Sequence, residues 1–378
     1  MSVLHNLIAW VPLGLPAFVL VITTIVFFHE LGHFSVARLF GVRIETFSIG
    51  FGPAIVKWKD RKGTQWKISW IPLGGYVKFF GDATAASMPD HELEEHMTAE
   101  ERAVAFPCKP LYQRVLIVAA GPAANFILAI VVFAALFAFV GLPSPGTIIG
   151  DITPHSAAAQ AGLHTGDKIT AIDGKKVTTF DSMRSLIWQK KGGAVNLSVL
   201  RDGRALEVSA APHEFQTVNL FGDKVTITGL GIAPLNDPGN FIYTRVSPVQ
   251  AVEMGAAETW ARVDLTFRYI GRIFTGRSSG SQLHGIFGVA QATRQQAANG
   301  PYDLIFLIAV LSVSIGLVNL FPIPVLDGGH LLYYGCEAVL GRPLGVRAQD
   351  IGFRLGLAVI LGLFLFATWN DLVRPNLF

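Results

Sequence analysis

The hydrophobic residues of this chain are concentrated in four long runs, separated by stretches of mixed polarity. The runs are Leu13–Phe40, Val115–Val140, Leu304–Phe321 and Gly352–Ala367. An α-helix of about 20 apolar residues crosses the hydrocarbon core of a bilayer. The pattern therefore predicts four transmembrane helices, two on each side of a long central segment.

The first polar stretch, residues 41–111, contains a strand pattern. Trp66, Ile68 and Trp70 occupy every second position, so in a β-strand their side chains would share one face. Thr46–Phe51 is the expected partner strand. We expect a β-hairpin here, either an ordinary surface hairpin or one associated with the membrane.

The central polar stretch predicts a separate domain followed by an amphipathic helix. Residues 147–212 combine short strands with helices expected near Ser156–Leu163 and Asp181–Gln189, an α/β pattern. Further on, apolar residues recur at spacings of three and four between Trp260 and Phe274. That helix is expected to lie on the outer leaflet or to pack on the α/β domain. An ordinary helix that only contributes to domain packing is the alternative.

Composition supports a membrane protein and excludes several other classes. Hydrophobic residues make up 51% of the 378 residues and charged residues only 15%, with a mean hydropathy of +0.46. Soluble domains carry about 25% charged residues. The net charge of +3 is small and scattered, so nucleic acid is not an expected partner. Cys108 and Cys336 are far apart and predict thiols rather than a disulfide framework.

The basic residues predict the orientation of the four helices. The first Lys or Arg in the chain is Arg38, and the segment 41–111 that follows is rich in both. Loops of this kind remain on the cytoplasmic side. Both termini and the central segment are then expected outside, with the short basic stretch between the last two helices inside.

The first apolar run contains the sequence His29-Glu30-Leu31-Gly32-His33. Residues i and i+4 share one face of a helix, so both imidazoles can point at one metal ion, while Glu30 lies beside it as a general base. Two buried structural histidines are the alternative. Such polar groups are costly within a membrane unless they serve a function. The motif predicts a zinc site with His29 and His33 as ligands.

The third ligand must come from a distant part of the chain. Val36 and Leu39 occupy the positions where soluble zinc proteases extend the motif. Asp327 follows the third apolar run and two prolines, at a depth comparable with that of the histidines. The alternatives for Asp327 are a solvated carboxylate at a helix end, or replacement as ligand by His330 or, more remotely, His284.

With these motifs in place, the chain resembles the intramembrane site-2 proteases, and most of all their bacterial branch typified by the regulator-of-sigma-E protease. The similarity covers nearly the whole chain and is carried by His29–His33, Phe51–Pro53, Pro72–Val77, Ala120–Phe126 and Asn319–Gly329. It implies that His29, His33 and Asp327 bind Zn²⁺, that Glu30 activates water, and that Asn319 stabilises the oxyanion.

The resemblance also implies the roles of the other parts. The β-hairpin would lie at the membrane and pair with an unwound substrate, and the α/β domain would be a PDZ domain that binds a peptide or acts as a gate or spacer. The substrates would be single-pass membrane proteins, such as an anti-sigma factor after a first cleavage or a remnant signal peptide. Two features depart from the family pattern. One PDZ domain is expected where close relatives often have two, and His284–Phe287 replaces their Ser-Gly-Pro-Ile.

The resulting expectation is a polytopic α-helical membrane protein with four transmembrane helices, a membrane-associated β-hairpin loop and one extramembrane PDZ domain. It would contact membrane lipid and act as a zinc-dependent intramembrane endopeptidase. A non-catalytic PDZ membrane adaptor is the alternative, although an adaptor has no use for Glu30 between the histidines. The expected segments are 13–40, 41–111, 112–141, 147–213, 214–303, 304–329 and 352–370.

Overall fold

The structure is a computed structural model that describes residues 2–82, 96–190, 193–218, 223–278, 280 and 283–373. Among these residues, four helices are long and apolar enough to cross a membrane, and they are Leu13–Leu39, Leu111–Phe139, Pro301–Asn319 and Val346–Val373. The prediction of four membrane-spanning helices is confirmed. The chain forms two compact units, one made of Met1–Ala134 with Val252–Phe378 and the other of Ala135–Ala251.

The described helices are, in chain order, α1 (Ser2–Leu39), α2 (Ala99–Val104), α3 (Leu111–Phe139), α4 (Ala157–Gln160), α5 (Phe180–Gln189), α6 (Pro248–Phe274), α7 (Ile286–Asn299), α8 (Pro301–Asn319), α9 (Asp327–Leu340) and α10 (Val346–Val373). The strands are β1 (Ile44–Lys59), β2 (Gln65–Phe79), β3 (Leu142–Pro145), β4 (Ile149–Ile152), β5 (Lys168–Ile172), β6 (Lys175–Lys176), β7 (Val195–Arg201), β8 (Arg204–Ala210), β9 (His213–Val218), β10 (Lys224–Gly229), β11 (Ile232–Pro234) and β12 (Phe241–Thr244).

Glycines allow the apolar helices of the first unit to approach one another closely. A methyl group added at Gly32 of α1 would lie 2.2 Å from the carbonyl oxygen of Ala120 in α3. One added at Gly316 of α8 would lie 3.0 Å from Cβ of Asn125, also in α3. Lipid gives apolar helices little hydrophobic reason to associate, so close backbone contact between small residues stabilises their packing. Helix α3 therefore packs closely on both α1 and α8.

The long strands β1 and β2 fold back on each other and form a bent antiparallel sheet. Phe47 in the first half of β1 pairs with both Trp66 and Val77, at the two ends of β2. The sheet therefore has four segments, with residues 75–79 along one edge and residues 54–59 along the other. The hairpin predicted around Trp66 is present, but it is longer than the sequence indicated.

An aromatic cluster and an ion pair hold this sheet against α1. Phe47 is fully buried and stacks on Trp66, with ring centroids 4.3 Å apart, while Phe34 of α1 packs edge-on against it at 5.4 Å. Arg38, at the end of α1, donates a 2.7 Å hydrogen bond to Asp60 in the turn between the strands. The sheet is thus fixed beside the turns of α1 that carry the two histidines.

The predicted amphipathic helix is present as α6, and its apolar face contacts other helices of the first unit. A methyl group added at Gly255 would lie 2.8 Å from the carbonyl oxygen of Ile130 in α3. Further along, the ring of Phe267 lies 6.3 Å from that of Phe321, just beyond α8. Trp260 stays largely exposed. The structure therefore shows α6 as a helix that packs on α3 and on the end of α8.

The second unit contains a four-stranded sheet, in the order β6-β5-β7-β8, and a hydrophobic core of its own. Leu230 is part of that core, and β11 pairs with β4. The unit therefore continues to Ala251, beyond the end expected near residue 213.

A partly buried ion pair stabilises the second unit. Asp167 is 1% exposed and accepts hydrogen bonds of 2.7 and 2.8 Å from Arg201. These bonds hold the pKa of the Asp167 carboxyl below its ordinary value.

Candidate metal centre

Helix α1 presents the two histidines on one face. His29 and His33 are one turn apart, their Nε2 atoms lie 3.3 Å from each other, and each residue is 8% exposed. Between Ala17 and Leu39 the helix contains no proline and a single glycine, so it continues unbroken through the motif. Two buried, converging ring nitrogens are the beginning of a metal site.

The orientation of His33 is set by the backbone of α3. Its Nδ1–H donates to the carbonyl oxygen of Ile117 at 2.9 Å, which leaves Nε2 free to bind a metal. A methyl group added at Gly121 would lie only 2.2 Å from His33 Nε2. The imidazole therefore occupies space that only glycine leaves open at this position. Pro122, the next residue, cannot donate a backbone hydrogen bond, so α3 lacks one helical bond close to this contact.

Asp327 reaches the histidines from the other end of the sequence. Its Oδ2 atom lies 3.2 Å from His29 Nε2 and 3.4 Å from His33 Nε2. Helix α8 ends at Asn319, and residues 320–326 form an irregular loop before α9 begins at Asp327. The apolar run Leu304–Phe321 therefore ends as a helix just before the two prolines, within the expected segment 304–329, because Pro322 and Pro324 cannot continue a helix.

Close contacts hold this loop in a strained conformation. Val325 has φ +97°, a value that β-branched residues rarely adopt. A methyl group added at Gly328 would lie 2.2 Å from the carbonyl oxygen of Phe321, and one added at Gly356 of α10 would lie 1.9 Å from that of Pro324. The loop is therefore clamped between the first turn of α9 and the last spanning helix, which fixes the position of Asp327.

The three converging atoms fit a zinc ion. Their separations are 3.2, 3.3 and 3.4 Å. Ligands about 2.05 Å from a tetrahedral zinc ion lie about 3.3 Å from one another. Oδ2 of Asp327 is buried and accepts no hydrogen bond of good geometry from the described residues, as expected for an atom placed to bind a cation. Two imidazoles and one carboxylate also leave a fourth position open, as catalytic zinc sites require.

The three candidate ligands open onto a cavity of about 430 Å³. Glu30 and Asn319, the predicted base and oxyanion donor, line the same cavity. A methyl group added at Gly75 would lie 3.4 Å from Cγ of Glu30, so the edge segment 75–79 of the sheet lies against Glu30. Residues 74–77 form one wall. The structure thus brings together all five residues that the sequence predicted for the site.

The two rival ligands, His330 and His284, are not part of the three-atom cluster. His330 lines the cavity but does not belong to the group of metal-binding atoms found among the described residues. His284 is placed with its Nδ1 3.5 Å from Oδ1 of Asp371, near the end of α10. Sequence reasoning gave no role to Gly121 or Asn125, which both contact the histidines. Their motif, Ala120–Phe126, was visible, but its position beside α1 was not.

A helix with two metal-binding imidazoles and an adjacent carboxylate, completed by a distant aspartate, defines a metalloprotease-type site. Here that site is built on helices of membrane-spanning length. Sequence comparison agrees with this class. The chain belongs to peptidase family M50, the site-2 protease family, whose profile matches residues 17–363.

Similar proteins match the chain over most of its length. A protein of Agrobacterium fabrum named as a zinc metalloprotease is 48% identical over 355 residues, which cover 94% of each chain. One of Rhizobium meliloti with a similar name is 43% identical over 95% of this chain and 96% of its own. The metalloprotease MmpA of Caulobacter vibrioides is 40% identical, with 95% of each chain covered.

Proposed function

We propose that this protein is a zinc-dependent endopeptidase of the site-2 type that hydrolyses peptide bonds within the membrane. The observation that carries the proposal is the position of the candidate metal centre. His29 and His33 lie inside a helix of spanning length, and Asp327 follows another one after a short loop. A soluble protease would not need its metal ligands on such helices.

The roles of the individual residues follow from the cavity. His29, His33 and Asp327 would hold zinc. When bound, zinc supplies Lewis acidity, which polarises the scissile carbonyl and lowers the pKa of water. Glu30 takes a proton from the attacking water and transfers it to the leaving amine. The side-chain amide of Asn319 donates a hydrogen bond to the oxyanion as it develops.

The edge of the sheet offers a way to hold the substrate. A transmembrane helix uses its backbone groups internally, so its peptide bonds reach a catalytic site only when the helix is unwound. Residues 75–79 are an edge segment that lies along the cavity wall beside Glu30. An extended substrate segment can add to such an edge as a further strand, with its scissile bond toward the metal ligands.

The substrate class and the location are parts of the same proposal. A single-pass membrane protein, such as an anti-sigma factor after a first cleavage or a remnant signal peptide, supplies one helix for unwinding. The charge pattern favours a bacterial inner-membrane protein with both termini in the periplasm, because the basic segment 41–111 belongs on the cytoplasmic side. The catalytic cavity then lies within the membrane, near its cytoplasmic face.

We also propose that the second unit is a PDZ domain on the periplasmic side. In support, α5 and the strand β10 border an apolar groove of about 560 Å³, and Leu230–Ile232 line its end. A groove between a helix and a strand can accept an extended peptide. The same domain could act instead as a gate that excludes bulky substrates. A non-catalytic PDZ adaptor remains the rival function, but it leaves the carboxylate of Glu30 at the cavity without a purpose.

Replacing Glu30 tests the catalytic proposal directly. Glu30→Gln should keep its zinc but lose cleavage by at least about 10²-fold, because the ligands remain while the general base is removed. Zinc content and hydrolysis of a tagged single-pass substrate are measured on the same purified protein. Glu45→Gln is the matched control, because that carboxylate lies outside the cavity and pairs with Lys78 at 2.9 Å. Turnover by Glu30→Gln at the wild-type rate would refute the mechanism.

A further inference from the structure

Asn125 of α3 is fully buried, and its side chain faces His29 rather than lipid. The amide Nδ2 lies 3.3 Å from His29 Nδ1, whereas Oδ1 is buried without a hydrogen-bond partner among the described residues. Ser312 of α8 donates a 2.9 Å hydrogen bond to the Asn125 carbonyl, so the backbone at this position is also held. An amide this well fixed, with one atom unpaired, needs an explanation.

His29 uses its other nitrogen for the candidate metal centre. Nε2 of His29 lies 3.2 Å from Asp327 Oδ2 and 3.3 Å from His33 Nε2. A histidine that offers Nε2 to a metal carries its proton on Nδ1, and that N–H needs an acceptor. His33 meets the requirement through the carbonyl oxygen of Ile117. For His29, the group at hydrogen-bond distance is the amide of Asn125.

The oxygen and nitrogen of an asparagine amide have nearly the same shape and can exchange places through a half-turn of the side chain. With Nδ2 toward His29, a donor faces a donor and a buried oxygen is left unpaired. The half-turn puts Oδ1 in the position 3.3 Å from His29 Nδ1, so the imidazole N–H gains an acceptor and the amide oxygen gains a donor. The unpaired oxygen and the acceptor that ligation through Nε2 requires at Nδ1 therefore favour the same orientation.

We propose that Asn125 is a positioning residue that accepts the hydrogen bond from His29 Nδ1–H and so keeps Nε2 directed at the metal. The proposal rests on the proposed zinc site and adds a residue that does not touch the metal. It makes the two histidines unequal. His33 is oriented by a backbone carbonyl, which no side-chain substitution at Ile117 removes, whereas the orientation of His29 depends on one side chain.

The test compares zinc retention by the purified full-length protein in competition with a chelator. Asn125→Leu keeps the approximate volume but has no acceptor, and zinc affinity should fall about 10- to 100-fold. Asn125→Asp provides only acceptor atoms and should hold zinc about as tightly as the wild type. Ser312→Ala is the matched control, because it removes a buried hydrogen bond to Asn125 without touching the amide, and its zinc affinity should be unchanged.

Thermal unfolding of the zinc-free proteins separates a local effect from misfolding. Wild-type-like zinc binding by Asn125→Leu would overturn the proposal. Equal losses in Asn125→Leu and Asn125→Asp would also overturn it, since the amide N–H donor that both variants lack, rather than the acceptor, would then matter. If Asn125→Leu fails to fold, Asn125→Asp alone still decides, because reduced affinity in a folded Asp variant contradicts an acceptor role. A wild-type protein that holds no zinc would instead refute the proposed function itself.

Discussion

Asp327 and Asn319 lie a few residues apart on the two sides of a loop, yet the structure gives them different surroundings. Asp327 Oδ2 lies within 3.4 Å of both imidazoles. Asn319 lines the same cavity from the end of α8. These surroundings fit the proposed roles, in which Asp327 binds the metal and Asn319 donates to the substrate.

This difference predicts opposite effects on metal and on rate. Asp327→Ala should lose tightly bound zinc together with activity, because one of three protein ligands is removed. Asn319→Ala should keep its zinc and lose about 10²- to 10³-fold in kcat, because its partner forms only in the transition state. Metal analysis and turnover of the two purified variants distinguish them. A tightly bound zinc in Asp327→Ala would make His330 the next candidate ligand.

Among the residues of the candidate site, the sequence predicted those that are recognised by their helical spacing or by their depth in the membrane. His29, Glu30 and His33 follow from the helical repeat, and Asp327 follows from its position at the end of an apolar run. Asn125 could not be found in the same way. An asparagine in a spanning helix suggests a function, but only the crossing of α1 and α3 shows that it faces His29.

At the scale of secondary-structure elements, the contact between α1 and α3 decides whether the metal centre can form. A methyl group added at Gly32 meets the backbone of α3 at 2.2 Å, and one added at Gly121 meets the His33 ring at the same distance. Neither clash is with the flexible end of a long side chain. The two helices must therefore separate, or His33 must move, before a larger residue can be accommodated.

Gly32→Ala and Gly121→Ala should consequently both lower stability, by about 1–3 kcal/mol or more, and Gly121→Ala should in addition weaken zinc binding. Gly362→Ala is the matched control, since it lies in the spanning helix α10 with no heavy atom within 4 Å of the added carbon. Thermal unfolding with and without zinc provides the measurement. Normal stability and zinc content in Gly121→Ala would show that the helices are not packed as described.

The sheet edge makes a prediction about how the substrate binds. In the Glu30→Gln background, with Cys108 and Cys336 replaced by serine, a cysteine at Tyr76 should cross-link to a cysteine beside the scissile bond of a single-pass substrate. Val56→Cys, on the opposite edge of the same sheet, is the control and should give little product. Equal cross-linking at both edges would argue against strand addition at residues 75–79.

At the scale of the whole molecule, local patterns were predicted better than distant pairings. The four apolar runs and the hairpin around Trp66 are continuous in the sequence, and the structure shows them. The extent of the second unit depends on β4 pairing with β11 and β3 pairing with β12, about 80 to 100 residues apart. The local pattern of apolar and polar residues does not show which distant strands pair. The domain was therefore expected to end near residue 213.

The same pairing allows the second unit to be removed cleanly. Leu142 pairs with Thr244, and a methyl group added at Gly141 would lie 3.0 Å from the Thr244 carbonyl oxygen, so the chain enters and leaves the unit at neighbouring positions. Deleting residues 142–244 should therefore join Gly141 to Arg245 without straining either end. Cys108, in a segment predicted to be cytoplasmic, serves as the control for orientation. An impermeant maleimide should label it only after the inner membrane is opened, in both the full-length and the shortened protein.

The shortened protein decides what the second unit does. If the unit is a gate, the deletion should allow cleavage of substrates that still carry a bulky outer domain, and Ile227→Asp in the apolar groove should change nothing. If it is a peptide receptor, both the deletion and Ile227→Asp should weaken cleavage of trimmed substrates, because a charge in the groove opposes apolar binding. Cleavage of both substrate types is measured side by side in membranes with equal amounts of each protein. Unchanged cleavage of both by the shortened protein would exclude gate and receptor together and leave the unit as a spacer.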